Sequence, residues 1–304
     1  MGGGPVVITG GTGGIGYYSA IGIAATGVPV IVTGRSTDRG EAAARQIRDA
    51  SGNPNVTFVR GDFSSLDGVD ALASSLLDAC GGEIGVLVNN VGYTGNEEVT
   101  SVDGIEMCFF VNVVAVHRLT MALLPALLAS GPGARVLNVS GGDDPAAVDV
   151  ENLQCEKSGF QGLMTYKHSK SVLEALSVAM AGELEPQGVS VNVLFPGRAS
   201  TEMTRALSCA GLPGPIKCCY PCFVCMFLDD GGKGAEKAAR TTIWLATSDE
   251  LEGGVTGRYY DTNQKERKMD PTAYDANVHA RILEAIREAT QAHDGAVKVV
   301  EIDR

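Results

Sequence analysis

A doubly wound α/β sheet, parallel and covered by helices on both faces, is the fold this sequence predicts, and three observations predict it. Short β-branched runs alternate with longer amphipathic segments along most of the chain. The runs are continuously apolar, so both faces of each strand are to be buried. Strand, helix and strand then succeed one another repeatedly, which builds right-handed crossovers.

The elements follow in order. Val6-Val7-Ile8-Thr9 reads as the first strand, followed by glycines and a helical stretch over 16–25. Val30-Ile31-Val32-Thr33 is the second strand, with a helix over 41–49, and Val56-Thr57-Phe58-Val59 the third, with a helix over 66–80. Val86-Leu87-Val88, Arg135-Val136-Leu137-Asn138-Val139 and Val189-Ser190-Val191-Asn192-Val193-Leu194 continue the series. Ala280 to Arg287 carries an amphipathic repeat suited to packing on the sheet. With 304 residues, 44% hydrophobic, and no Pro-, Ser- or Gly-rich break, residues 1–304 are expected to form one domain.

Composition narrows the partners. The formal net charge of −12 repels phosphate backbones, so nucleic acid is not expected. Glycine or charge interrupts the apolar stretches, and none reads as a membrane span. The start, Met1-Gly2-Gly3-Gly4-Pro5, has no basic segment before a long apolar one, and Val6 stands where myristoylation wants Ser or Thr. Eight cysteines without a secretory leader read as reduced thiols. The expected location is cytoplasmic.

Sheets of this kind bind ligands beyond the carboxyl ends of their strands. There, Thr9-Gly10-Gly11-Thr12-Gly13-Gly14-Ile15-Gly16 opens the first crossover. Glycines permit a tight turn and close approach to a pyrophosphate, and the helix N-terminus offers free N–H groups. A plain flexible turn is the competing reading. The second strand ends Thr33-Gly34-Arg35-Ser36, with Arg39 nearby and no carboxylate to hold a ribose 2′-hydroxyl. Arg35 suits a 2′-phosphate, which points to NADP(H), although a solvated arginine would also sit here.

Further along come Asn89-Asn90-Val91-Gly92, Asn112, Tyr166-x-x-x-Lys170 and Pro196-Gly197. In this order the motifs resemble the short-chain dehydrogenase/reductase family over roughly residues 6–290. Within it, Arg39-Gly40-Glu41, Asn152-Leu153-Gln154, Tyr166-Lys167-His168-Ser169-Lys170 and Gly254-Val255-Thr256-Gly257-Arg258-Tyr259-Tyr260 are similar to the retinol dehydrogenase-like branch. The resemblance implies a Rossmann-type fold and an NADP-dependent oxidoreductase that interconverts a carbonyl and an alcohol. Gly10, Gly14, Ile15 and Gly16 would cradle the cofactor phosphates, with Arg35 at the ribose. Asp62 and Phe63 would meet the adenine, though Asp62 also suits a helix cap. Asn89 would pack its backbone on the adenosine side, and Pro196, Gly197 and Thr201 would meet the nicotinamide end.

Tyr166 and Lys170 are four apart, so on a helix they share a face. An ammonium beside the phenol is expected to lower its pKa from about 10, readying Tyr166 to exchange a proton with the substrate oxygen. By resemblance Lys170 also holds the nicotinamide ribose, and Asn112 positions a water that relays protons to Lys170. The branch's catalytic serine is the second of two adjacent serines, but here the sequence reads Ser140-Gly141-Gly142. Either Ser140 serves in its place or the donor is lost, at ~2.7–4 kcal/mol by analogy with an oxyanion-hole donor.

Cys218, Cys219, Cys222 and Cys225 lie in an apolar, aromatic stretch. The spacing of Cys219, Cys222 and Cys225 would admit zinc or an iron–sulfur cluster, but a buried cysteine behaves as a small hydrophobe, and no metal site is assigned. By resemblance, an apolar lid around 205–232 would cover a retinoid, steroid or fatty aldehyde type substrate. Such a lid could touch a membrane without spanning it, and a homo-oligomer is compatible with the sequence. The competing function is a nucleotide-binding regulatory or scaffold protein of the same fold, for which Gly141 is the motive.

Overall fold

In the computed structural model, which describes residues 3–141, 146–199, 201–206, 208, 234–251 and 254–302, strand β1 (Val6–Ile8) lies mid-sheet and wholly buried. Three successive β-branched residues leave neither face suited to water. Its parallel neighbours are β2 (Val30–Gly34) and β4 (Val86–Asn89). Beyond β2 lies β3 (Val56–Arg60). Beyond β4 come β5 (Ala134–Val139), β6 (Val189–Leu194), β7 (Tyr259–Tyr260) and β8 (Glu266–Arg267). The order is β3-β2-β1-β4-β5-β6-β7-β8, with β8 antiparallel to β7 and every other pair parallel.

Alternate strand residues supply two cores. Val6, Ile8, Val32, Val88 and Leu137 join residues of α1 (Gly14–Ala24), α2 (Thr37–Ser51) and α7 (Gly234–Thr247), among them Ile23, Ile47 and Leu245. Val7, Ile31, Leu87, Val136 and Val191 join the opposite face, covered by α3 (Leu66–Ala79), α4 (Met107–Ala129), α5 (Leu163–Leu184) and α8 (Ala276–Ile302). Helix α6 (Glu202–Arg205) is a single turn after β6.

The departures from expectation have local causes. α2 starts at Thr37 because Ser36 caps it, its hydroxyl accepting from Arg39 N. β3 is the edge strand, so Thr57 and Arg60 are exposed despite the apolar run. α4 is long and apolar enough to cross a membrane, against the reading that glycine or charge interrupts every apolar stretch. Its Phe109, Phe110, Leu119 and Leu123 are buried in the protein core, which accounts for the apolarity. A π-helical turn at Phe110–Val114 interrupts its regular register.

Candidate active site

Chain order reverses between β1 and β4, and the crevice beyond their carboxyl ends is where an open α/β sheet takes a ligand. Gly10 has φ +67° and Gly14 φ +54°, left-handed values that suit glycine. A Cβ on Gly16 would come within 2.6 Å of Gly10 O and Asn90 Nδ2, so the turn closes on the helix only because that position is bare. Helix α1 has no side-chain cap and no acid in its first turn. Its N–H groups therefore face a place that suits an anion, and a Cβ on Gly13 would meet nothing within 4 Å. Half-buried Ile15 follows in the first turn. The cradle fits a dinucleotide pyrophosphate.

Asn90 stitches β4 to this turn. Its backbone N–H donates to Thr9 Oγ1 at 2.9 Å, and its Nδ2 donates to Thr9 O at 2.9 Å. Asn89 points elsewhere. Its Nδ2 donates to Asn138 Oδ1 and Thr120 Oγ1, and Asn138 in turn donates to Ser177 Oγ, a buried ladder tying β4 and β5 to two helices. Any contribution of Asn89 to the crevice is therefore through its main chain.

At the end of β2, Arg35 is exposed, with no side-chain partner among the described residues. Arg60 Nε donates to Arg35 O at 3.2 Å, which adds a second guanidinium beside it. Arg39 is occupied by Glu202 at 3.2 Å in an exposed pair. Asp62 accepts from Ser64 N and so closes its own turn, while Phe63 is buried in the core with Leu66 and Leu72. Across the mouth, Pro196 is buried and Gly197 has φ +92°. A Cβ on Gly14 would lie 3.3 Å from Thr201 Cγ2, which brings the turn after β6 over the glycine loop.

Tyr166 and Lys170 share a face of α5 and are both buried, at 8% and 3% exposure. Lys170 Nζ donates to Val139 O at 2.9 Å and stands 5.9 Å from the Tyr166 ring centroid. Burial lowers Lys170 to about 8, against the Glu174 carboxylate, which favours the ammonium. Burial, helped by the Cys108 thiol, pushes the Tyr166 phenol up. The expected lowering of Tyr166 by its lysine is thus reversed here, because burial penalises the phenolate and dominates the shift. Asn112 sits in the π turn. Its side chain is spent on Tyr93, accepting from N and donating to O at 2.9 Å each, and on Ser169 Oγ at 2.8 Å. Gly92 packs between them; a Cβ there would lie 3.4 Å from both Asn112 Oδ1 and Lys170 Nζ.

Ser140, offered as a stand-in for the missing serine, is 2% exposed, and its hydroxyl donates to Glu174 Oε1 at 2.5 Å. A Cβ on Gly141 would fall 2.0 Å from Tyr166 Oη, so the phenol occupies the space a side chain there would need. Cys218, Cys219, Cys222 and Cys225, and the lid expected around 205–232 from residue 209 onward, lie outside the described residues.

Sequence reasoning singled out Asn90 only within its motif, with no role of its own, and missed Cys108 and Glu174. Cys108 is fully buried beside Glu106, whose carboxylate accepts from Cys108 N and Phe109 N to cap α4. Glu174 had a legible signal: a lone acid within Val172-Leu173-Glu174-Ala175-Leu176, one helical turn beyond Lys170.

Comparison with known proteins agrees with this fold. A short chain dehydrogenase family profile matches residues 5–210. Mouse retinol dehydrogenase 13 is 32% identical over 91% of this chain and 80% of its own length. Among solved structures, an uncharacterized protein from Mycobacterium Paratuberculosis superposes with a TM-score of 0.71 at 23% identity, over 95% of this chain and 93% of that one. The Pseudomonas aeruginosa RhlG/NADP active-site complex does so with a TM-score of 0.62 at 26% identity, over 86% and 95%.

Proposed function

The chain belongs to the short-chain dehydrogenase family, and from that premise we propose that it interconverts a carbonyl and an alcohol with NADP(H), on an apolar substrate of retinoid, steroid or fatty aldehyde type. The observation that carries the reading is the pairing of Tyr166 with Lys170, both buried and one turn apart on α5. The cofactor, when bound, supplies or takes up the hydride.

The protein's own residues handle the proton and the placement. Tyr166, kept protonated by burial, is in the acid form that carbonyl reduction uses, and donates to the substrate oxygen. Lys170, fixed by Val139 O, places positive charge beside the phenol. Asn112 clamps Tyr93 and Ser169 and so holds the walls of the pocket around that lysine. Gly10, Gly14 and Gly16 hold the pyrophosphate, and Arg35 takes the 2′-phosphate that separates NADP(H) from NAD(H). The RhlG complex with NADP and the retinol dehydrogenase relative support the cofactor and substrate readings.

NADPH consumption against a panel of apolar aldehydes and ketones tests this. Tyr166→Phe is expected to lower kcat by about 10²–10⁴-fold while leaving NADPH affinity unchanged. Full turnover in that variant would remove Tyr166 from the mechanism. Gly141 favours a second reading, a cofactor-binding protein with weakened turnover. Tight NADPH binding without turnover on any compound would select it.

A further inference from the structure

We propose that Glu174, gripped by Ser140, is a positioning residue that keeps the Lys170 ammonium charged and in place. This rests on the reading of Lys170 given above. The geometry is a double clip at the end of β5: Val139 O accepts a hydrogen bond from Lys170 Nζ at 2.9 Å, and the hydroxyl of the next residue, Ser140, donates to Glu174 Oε1 at 2.5 Å. Lys170 and Glu174 lie four residues apart on one helix face, and both are buried. A neutral carbonyl does not compensate a buried ammonium, whereas a carboxylate one turn away does. Removing the carboxylate leaves the buried ammonium with the neutral Val139 carbonyl as its hydrogen-bond acceptor.

The serine found bonded to Glu174 is the residue that sequence alone offered as a substrate donor, so in this chain Ser140 acts on Lys170 through Glu174. Other groups bear on the pair from each side. Asp270, ahead of the 3-10 turn Pro271–Tyr274 that packs on α5, raises Glu174; Cys108, from α4, favours the charged lysine. Burial brings Glu174 up to about 7 and Lys170 down to about 8. Glu174 opposes the second shift, so its loss makes Lys170 give up its proton at lower pH.

The test measures kcat/KM for carbonyl reduction and NADPH affinity by fluorescence, between about pH 6 and 9. In Glu174→Gln the falling alkaline limb of both is expected to move about one unit towards acid, with parent and variant agreeing at the acid end. Ser140→Ala is expected to move it the same way by less, and Glu174→Asp, which keeps the charge, to hold it nearer the parent's. A purely structural role would lower rates at every pH and leave the limb where it was; that result in Glu174→Gln overturns the proposal. If Glu174→Gln does not fold, an unmoved limb in Ser140→Ala overturns it instead. Lys170→Met separates the two readings: retained activity there removes Lys170 itself, whereas a dead Lys170→Met with an unmoved Glu174→Gln removes only Glu174.

Discussion

A Cβ placed on Gly141 would lie 2.0 Å from Tyr166 Oη, closer than any tolerated contact and against a buried phenol with little room to withdraw. Restoring the family's serine is therefore not a simple gain. Gly141→Ser must displace Tyr166, and an ångström of misplacement at a reacting group costs on the order of 10²-fold. The expected result is a lower kcat with NADPH affinity kept; a higher kcat would show that the phenol yields and that the hydroxyl was the missing part. Arg35 supports a second prediction at this scale. With no carboxylate at the end of β2, Arg35→Ala should weaken NADPH binding by roughly ten- to a hundredfold, as for a hydrogen bond to a charged group, and leave NADH unchanged. Equal losses for both nucleotides would refute the 2′-phosphate role. Residues such as Tyr166, Lys170 and Gly16 are legible in sequence because their chemistry is carried by short, fixed spacings. The bond that Ser140 makes was not legible, because its partner, Glu174, lies 34 residues away and no spacing encodes it.

Elements were legible where burial writes a pattern. β1, β4 and β5 are buried throughout; β1 appears as an unbroken β-branched run, β4 as an apolar run up to Asn89, and β5 as apolar residues around Arg135 and Asn138. β7 and β8 have two residues each, too few to carry any period. Polar residues inside buried strands were harder to place. Asn138 reads as part of a strand and Asn89 as the end of one, but only the ladder through Ser177 shows that they bind each other. Close approach between elements is equally invisible before folding. Gly40 lies on α2 against the Phe58 ring of β3, where an added Cβ would come within 2.1 Å of Cε2 and 2.3 Å of Cζ. An aromatic ring cannot bend aside as a long aliphatic chain can. Gly40→Ala is expected to destabilise the protein by about 1–3 kcal/mol in denaturant unfolding, in spite of alanine's better helix propensity. Unchanged or increased stability would mean that β3, an edge strand, slides outward without cost.

At the scale of the whole molecule, α8 links the surroundings of the site to α3 and α4 on the same face of the sheet. Near its start, His279 Nε2 lies 2.8 Å from Ala273 O in the turn that follows Asp270, and Asp270 bears on Glu174. Near its other end, His293 Nε2 bonds Asp67 Oδ1 of α3 at 2.9 Å, and Asp294 pairs with Arg118 of α4, which also grips Asp70. Burial works against the charged imidazole, but Asp67, Asp294 and Asp70 outweigh it and Arg118 together, so the net shift of His293 is upward. A histidine raised in the folded state stabilises fully below its unfolded value, about 6.5, and that contribution is lost as pH climbs through the raised one. Docking of the distal part of α8 should therefore be tightest on the acid side of neutrality and loosen above it. Hydrogen exchange at the backbone amides of residues 285–295 reads this locally, apart from the titration of Glu174 in the core. Intrinsic exchange corrected, protection is expected to fall between about pH 6 and 8 in the parent and to become independent of pH in His293→Ala. The variant should also be less protected than the parent at the acid end. If the parent's protection stays flat while the variant is merely less protected, His293 holds the helix by packing alone, and the charge on the imidazole plays no part in anchoring the tail.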